Sequence, residues 1–265
     1  MTDLDRGQVS SSAAEVYDTF FVPALFGQWT DVVLDAADVR SGHHVLDLGC
    51  GTGVLARAAH RRVGPEGRVI GVDPNDGMLA VARRSAPHID WQTGVAEELP
   101  YLDHAFDRTV SQFALMFFSD PKSALGEIGR VTRPDGRVAL AVWDRLDNNH
   151  GYARLAALVE DVLGSDAADA IRAPFQMGDD TEALAAIARA ALTKPTVTRH
   201  RGLARFESLH AWLHTEIRGW TLADAIDDTR FMTLLDAAQN QLSDLVTDRG
   251  VLFDVSALVV TGSPA

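Results

Sequence analysis

Residues Val45 through Gly53 read Val-Leu-Asp-Leu-Gly-Cys-Gly-Thr-Gly, and no other stretch of the chain restricts its fold so strongly. Val45, Leu46 and Leu48, interrupted only by Asp47, predict a short buried parallel strand that runs into glycines at alternate positions, Gly49, Gly51 and Gly53. A helix is predicted to follow at once. Val54, Leu55, Ala58 and Ala59 share one helical face, and Arg61 and Arg62 suit the C-terminal end of its dipole. Glycine lacks a Cβ, so such a turn can take positive φ and lie against a ligand, while the free N–H groups of the helix start face a polar or anionic group.

The glycines alone leave the ligand open. Counted from Gly49, the dinucleotide fingerprint G-x-G-x-x-G meets Val54 where a small residue is needed; counted from Gly51 it meets Ala56, which the looser form allows. Asp47 separates the readings, because a carboxylate there repels a pyrophosphate and welcomes a ligand that carries an ammonium and a sulfonium. With Asp47 included, the nine residues closely resemble motif I of the class I S-adenosylmethionine-dependent methyltransferases.

The rest of the chain is read against that motif. Its 265 residues, 46 % hydrophobic, can bury one large core with an elaboration. A formal net charge of −13 opposes binding to nucleic acid. The single cysteine, Cys50, rules out an internal disulfide framework, and no signal peptide or apolar run of membrane-spanning length is read, so the expectation is a soluble cytoplasmic protein with no membrane partner. A homodimer is compatible with this composition.

Asp73 ends a predicted strand, Arg68 to Asp73, about 20 residues past the glycine turn, where a carboxylate can accept both ribose hydroxyls. Capping of the next helix is its alternative use. By resemblance, Pro74 and Met78 pack against the adenine, and Tyr17, in an aromatic-rich segment before motif I, closes over the cofactor. Gly94-Val95-Ala96-Glu97-Glu98-Leu99-Pro100 is similar to a gly-asp-ala-glu-x-leu-pro pattern of the type 11 branch that includes quinone-biosynthesis methyltransferases. Val95 departs from it at the residue that commonly binds the adenine amino group, so with Ala96 and Glu97 as the candidate cofactor-binding residues of this segment that contact must come from backbone, from Glu97, from water, or be absent.

Gln112 and Phe113 end a fourth strand, Ala105 to Phe113, without the Asn/Asp-Pro-Pro-aromatic turn of amino-methylating enzymes or a Pro-Cys nucleophile. A small molecule is therefore the expected acceptor. A fifth strand is predicted from Arg137 to Trp143, and Thr196 to Phe206 with Val251 to Thr261 as an antiparallel pair. The predicted fold is α/β, a Rossmann-like doubly wound sheet of seven strands, mostly parallel with an antiparallel last strand, plus a helical cover.

The whole chain is read as one methyltransferase domain: an N-terminal cap over 1–42, a cofactor-binding core over 43–143, a cover and substrate region over 144–235, and a helix end and last strand over 236–265. Arg218 and Trp220 are expected in the cover. His150, in the loop leaving the fifth strand, is the candidate general base, with Tyr17 and His214 as competitors. No metal ligand set is found. The expected cofactor is S-adenosyl-L-methionine, and the function a small-molecule methyltransferase working by in-line transfer. A nicotinamide-dependent oxidoreductase and a cofactor-binding protein without turnover are the alternatives.

Overall fold

The computed structural model describes residues 11–219, 222 and 225–265. The chain opens with α1 (Ser11–Val16), a π-helix at Tyr17–Phe26, a 3-10 turn at Gly27–Trp29 and α2 (Thr30–Ala36). α2 ends at Ala36, and Asp38 (φ +53°) and Gly42 (φ +82°) both take left-handed turns before the first strand. Then come β1 (His44–Leu48), α3 (Val54–Val63), β2 (Arg68–Asp73), α4 (Asp76–Ser85), β3 (Asp90–Thr93) and β4 (Phe106–Gln112). The second half holds α5 (Pro121–Val131), β5 (Thr132–Trp143), α6 (His150–Leu163), α7 (Ser165–Arg172), α8 (Thr181–Ala188) and β6 (Leu192–Phe206). It closes with α9 (Leu209–Arg218), α10 (Asp228–Gln241), β7 (Val246–Thr247) and β8 (Gly250–Pro264).

The strands form one sheet in the order β3-β2-β1-β4-β5-β8-β6, with the short β7 paired to β8 as an additional hairpin. β1 to β5 are parallel, and β8 runs antiparallel to both β5 and β6, as the sequence predicts. Two strands are longer than expected. β5 begins at Thr132 rather than Arg137 because Thr132 already pairs with Phe106, the register then shifting before Arg108 meets Arg137. β6 begins at Leu192, with a shift between Thr193 and Thr196.

Alternation along the strands sorts the core onto two faces. Leu46, Leu48, Leu140 and Val142 pack with Leu125 and Ile128 of α5 on one side. Val45, Val110, Ala141 and Trp143 pack with Val33, Leu55 and Leu79 from α2, α3 and α4 on the other. The same alternation puts Asp47 on the second face, 1 % exposed among apolar side chains. Parallel strands place their carboxyl ends on one edge, and at the point where chain order reverses between β1 and β4 the loops diverge and leave a cleft.

Candidate active site

Three glycines after β1 all take positive φ, and they differ in what a side chain there would meet. A Cβ on Gly49 (φ +65°) would lie 2.2 Å from the Ala114 Cβ, and one on Gly53 (φ +87°) 2.3 Å from the Trp91 ring, so both are held by packing. Gly51 (φ +54°) has nothing within 4 Å of its would-be Cβ. It is the position where the backbone faces open space.

That space is a cleft of about 500 Å³ lined by Tyr17, Gly49, Gly51, Asp73, Pro74, Met78, Ala96, Glu97, Gln112 and Phe113 together with Asn75, Val95, Ala114 and Phe117. The segment after β3 reaches it, with Val95, 45 % exposed, presenting an isopropyl group to it. Glu97 Oε1 accepts the Asp120 N–H at 3.1 Å, which anchors that segment to the start of α5. Gln112 donates to the Phe26 carbonyl at 3.2 Å, and its Oε1 is buried without a partner. Phe113 has a left-handed backbone (φ +57°) and lies flat on Trp143, ring centroids 4.0 Å apart at 13°.

Asp73 spans the cleft floor. Its Oδ2 accepts the Gly51 N–H and its Oδ1 the Asn75 N–H, both at 2.8 Å. Burial raises its pKa to about 6, against the lowering effect of those two N–H groups. The helix-cap alternative goes to another residue, since Asn75 caps α4 by accepting from Met78 N at 2.9 Å. Asp73 is thereby left to brace the glycine turn and to offer its remaining lone pairs to the cleft.

Asp47 lies beneath the turn rather than in the cleft wall, and neither of its carboxylate oxygens has a hydrogen-bond partner. Burial raises its pKa to about 8, the Ala56 N–H offsets part of this without reaching hydrogen-bond geometry, and the charge of Asp73 adds to it. A buried carboxylate with no partner costs free energy unless a positive charge is brought near it. The site therefore fits a ligand with a cationic end over motif I and a ribose over Asp73. Among the described residues no group of three His, Cys, Asp or Glu side chains could hold a metal.

Tyr17 lines the cleft, and burial with the charges of Asp73 and Asp18 pushes its phenol well above the ordinary range, so it stays protonated. His150 does not join it. The loop after β5 is turned onto β8 by Asn149, whose Oδ1 accepts the Ser256 N–H at 2.8 Å, and by the buried Asp144, bonded to Arg199 Nε at 2.6 Å and to the Ser256 hydroxyl at 2.8 Å. His150 is left exposed at the first residue of α6 and lines neither the cleft nor the chamber beside it. Arg218 is turned away as well, donating to Asp228 and lying over the Phe231 ring. Trp220 lies outside the described residues.

Two residues the sequence reading passed over stand next to the cleft. Tyr152 of α6 and Glu216 of α9 line a smaller aromatic chamber that shares Tyr17, Phe113 and Phe117 with it. A signal for Glu216 existed: Leu209, Trp212, Leu213 and Glu216 fall on one helical face, and a lone carboxylate in an otherwise apolar stripe calls for a reason.

Sheet order and glycine turn are those of the class I methyltransferase fold. Residues 45–136 match the family model described as methyltransferase domain. The chain is 40 % identical over 114 residues to a demethylmenaquinone methyltransferase of Paenarthrobacter aurescens, covering 43 % of this chain and 44 % of that one. It is 37 % identical over 146 residues to the ubiquinone/menaquinone biosynthesis C-methyltransferase UbiE of Pasteurella multocida, covering 52 % and 54 %. The chain thus spans about half the length of these curated relatives. A crystal structure of a putative methyltransferase from an antibiotic biosynthesis pathway of Anabaena variabilis has the same fold, with a TM-score of 0.63 at 18 % identity over 88 % of this chain and 96 % of that one.

Proposed function

We propose that this protein is an S-adenosylmethionine-dependent methyltransferase acting on a small molecule. The observation that carries the proposal is the pairing of a partnerless buried Asp47 below the glycine turn with an Asp73 that braces Gly51 at the cleft floor. Bound S-adenosylmethionine supplies a methyl group already activated on a sulfonium. Around it, Asp73 holds the ribose hydroxyls, Asp47 balances the positive charge, Gly51 lets the backbone approach, and Pro74, Met78 and Val95 offer apolar surface to the adenine. Phe113 and Tyr17 exclude water on the acceptor side, where alignment and desolvation account for most of the rate in such a transfer.

A nicotinamide cofactor is disfavoured by Asp47, because a carboxyl group under the glycine turn opposes a pyrophosphate there. In this reading the chain works in the cytoplasm as one domain, with the segments before Gly42 and after Trp143 as its cover. The net charge of −13 supports a small-molecule rather than a nucleic-acid acceptor, and no described helix is long and apolar enough to cross a membrane. Calorimetric titration with S-adenosylhomocysteine and NAD tests the cofactor, and a labelled-methyl screen against a metabolite library tests turnover. Binding of NAD in preference to S-adenosylhomocysteine would overturn the reading, and cofactor binding with no acceptor methylated would favour a protein that binds without turnover.

A further inference from the structure

Beside the cleft, sharing Tyr17, Phe113 and Phe117 with it, lies a chamber of about 60 Å³ walled by Phe21, Phe26, Trp143 and Phe175, and Tyr152 and Glu216 also line it. Both are buried, Tyr152 4 % and Glu216 6 % exposed. They are bonded to each other, the tyrosine hydroxyl donating to Glu216 Oε1 at 2.7 Å, and Trp212 Nε1 donates to the same oxygen at 3.0 Å. Oε2 carries neither bond and is not among the sealed, partnerless atoms, so it is the oxygen presented to the chamber. Among the described residues no basic side chain lines this space, and the titratable groups that share it with Glu216 are Tyr152 from α6 and Tyr17 from the π-helix.

A carboxylate is costly in an aromatic cavity. Fold stability alone does not require it, because an apolar side chain there would only need Tyr152 and Trp212 to be replaced with it. We infer that Glu216, oriented by Tyr152 and Trp212, binds the hydroxyl of the methyl acceptor through Oε2 and takes its proton, and that the acceptor is a flat apolar ring bearing that hydroxyl. This rests on the methyltransferase reading above. The O–H bond of the acceptor breaks and its proton moves to Glu216, the electron pair left on the acceptor oxygen forms the new bond to the methyl carbon, the S–C bond breaks with its pair kept on sulfur so that the donor leaves as a neutral thioether, and Glu216 returns the proton to solvent when product leaves. The methyl donor named above is the only co-reactant. Because a dry apolar cavity of about 150 Å³ holds one benzene, the 60 Å³ chamber admits only the hydroxylated edge of a ring whose remainder lies in the cleft. Burial raises the Glu216 pKa to about 7, with the Tyr152 and Trp212 donors pulling it back, so it can both take and release a proton near neutrality.

The test uses 1-naphthol and naphthalene as probes of the protein saturated with S-adenosylhomocysteine, titrated by quenching of tryptophan fluorescence between pH 6 and 8. The wild type is expected to prefer the naphthol at least tenfold at pH 8, with the preference growing as pH rises through about 7. Glu216→Gln keeps the acceptor for Tyr152 and Trp212, so it should retain S-adenosylhomocysteine affinity and lose the pH dependence. Tyr152→Phe should move the midpoint upward by removing a donor that stabilises the ionised form, and it serves if Glu216→Gln does not fold. Failure to bind either probe, a preference unaltered in Glu216→Gln, or an unmoved midpoint in Tyr152→Phe would overturn the inference. Failure to bind S-adenosylhomocysteine itself would instead overturn the cofactor reading.

Discussion

The Gly51 N–H is held by Asp73 Oδ2 at 2.8 Å, so the carboxylate at the end of one strand fixes the shape of the turn at the end of its neighbour. One residue therefore shapes the cradle and, in the proposed reading, would also hold the ribose. Asp73→Ala should weaken S-adenosylhomocysteine binding at least tenfold. The same change leaves the Gly51 and Asn75 N–H groups without their acceptor, at about 1–3 kcal/mol for each group that water cannot reach. Calorimetry and a melting curve on the same sample check the two effects, and unchanged affinity removes the ribose assignment.

Gly51 and Gly53 should respond in opposite ways. Gly51→Val places a β-branched side chain in open space at φ +54°, so it should abolish ligand binding while destabilising the fold only by backbone strain, ~1–3 kcal/mol. Gly53→Ala drives a methyl group into the Trp91 ring and should lower the melting temperature more than it lowers affinity. Normal binding by Gly51→Val would show that the turn is not the ligand's bed.

The pH dependence of the free protein should be unusual for a chain with this many carboxylates. Asp47, Asp73 and Glu216, raised from the usual carboxylate range to about 8, 6 and 7, bind protons in the folded state that the unfolded chain has already lost. Their contribution to stability is present below about pH 4 and declines as pH rises through the window from about 4 to 8. A cationic ligand lowers the Asp47 pKa, so S-adenosylmethionine should release a proton from it near pH 7. Calorimetry in two buffers of different ionisation enthalpy measures the release, and an equal release in Asp47→Asn would assign the proton elsewhere.

His150→Ala should change neither stability beyond ~0.5 kcal/mol nor turnover on any acceptor found, because the side chain is exposed outside the cleft. A hundredfold loss of kcat in that variant would restore it as the base and require the α6 start to move.

Local chemistry made much of this protein legible in its sequence. The alternation of Val45 to Leu48, three glycines where φ must be positive, and a carboxylate closing the next strand are short-range patterns, and each constrains the backbone by itself. The parallel sheet follows from those patterns and from the right-handed crossover rule, and the antiparallel β6–β8 pair from the resemblance to the class I methyltransferases. Tertiary structure decided which neighbour each side chain meets. Asn75 rather than Asp73 caps α4 because Asp73 is drawn to Gly51, a contact 22 residues away. His150 and Tyr152 are two residues apart on one helix, yet the hydrogen bonds of Asn149 to β8 set the rotation of α6, which leaves one exposed and puts the other against Glu216, 64 residues on. Two positions apart on a helix means nearly opposite faces, so the orientation of the whole helix chooses between them, and that orientation is set by packing between distant segments.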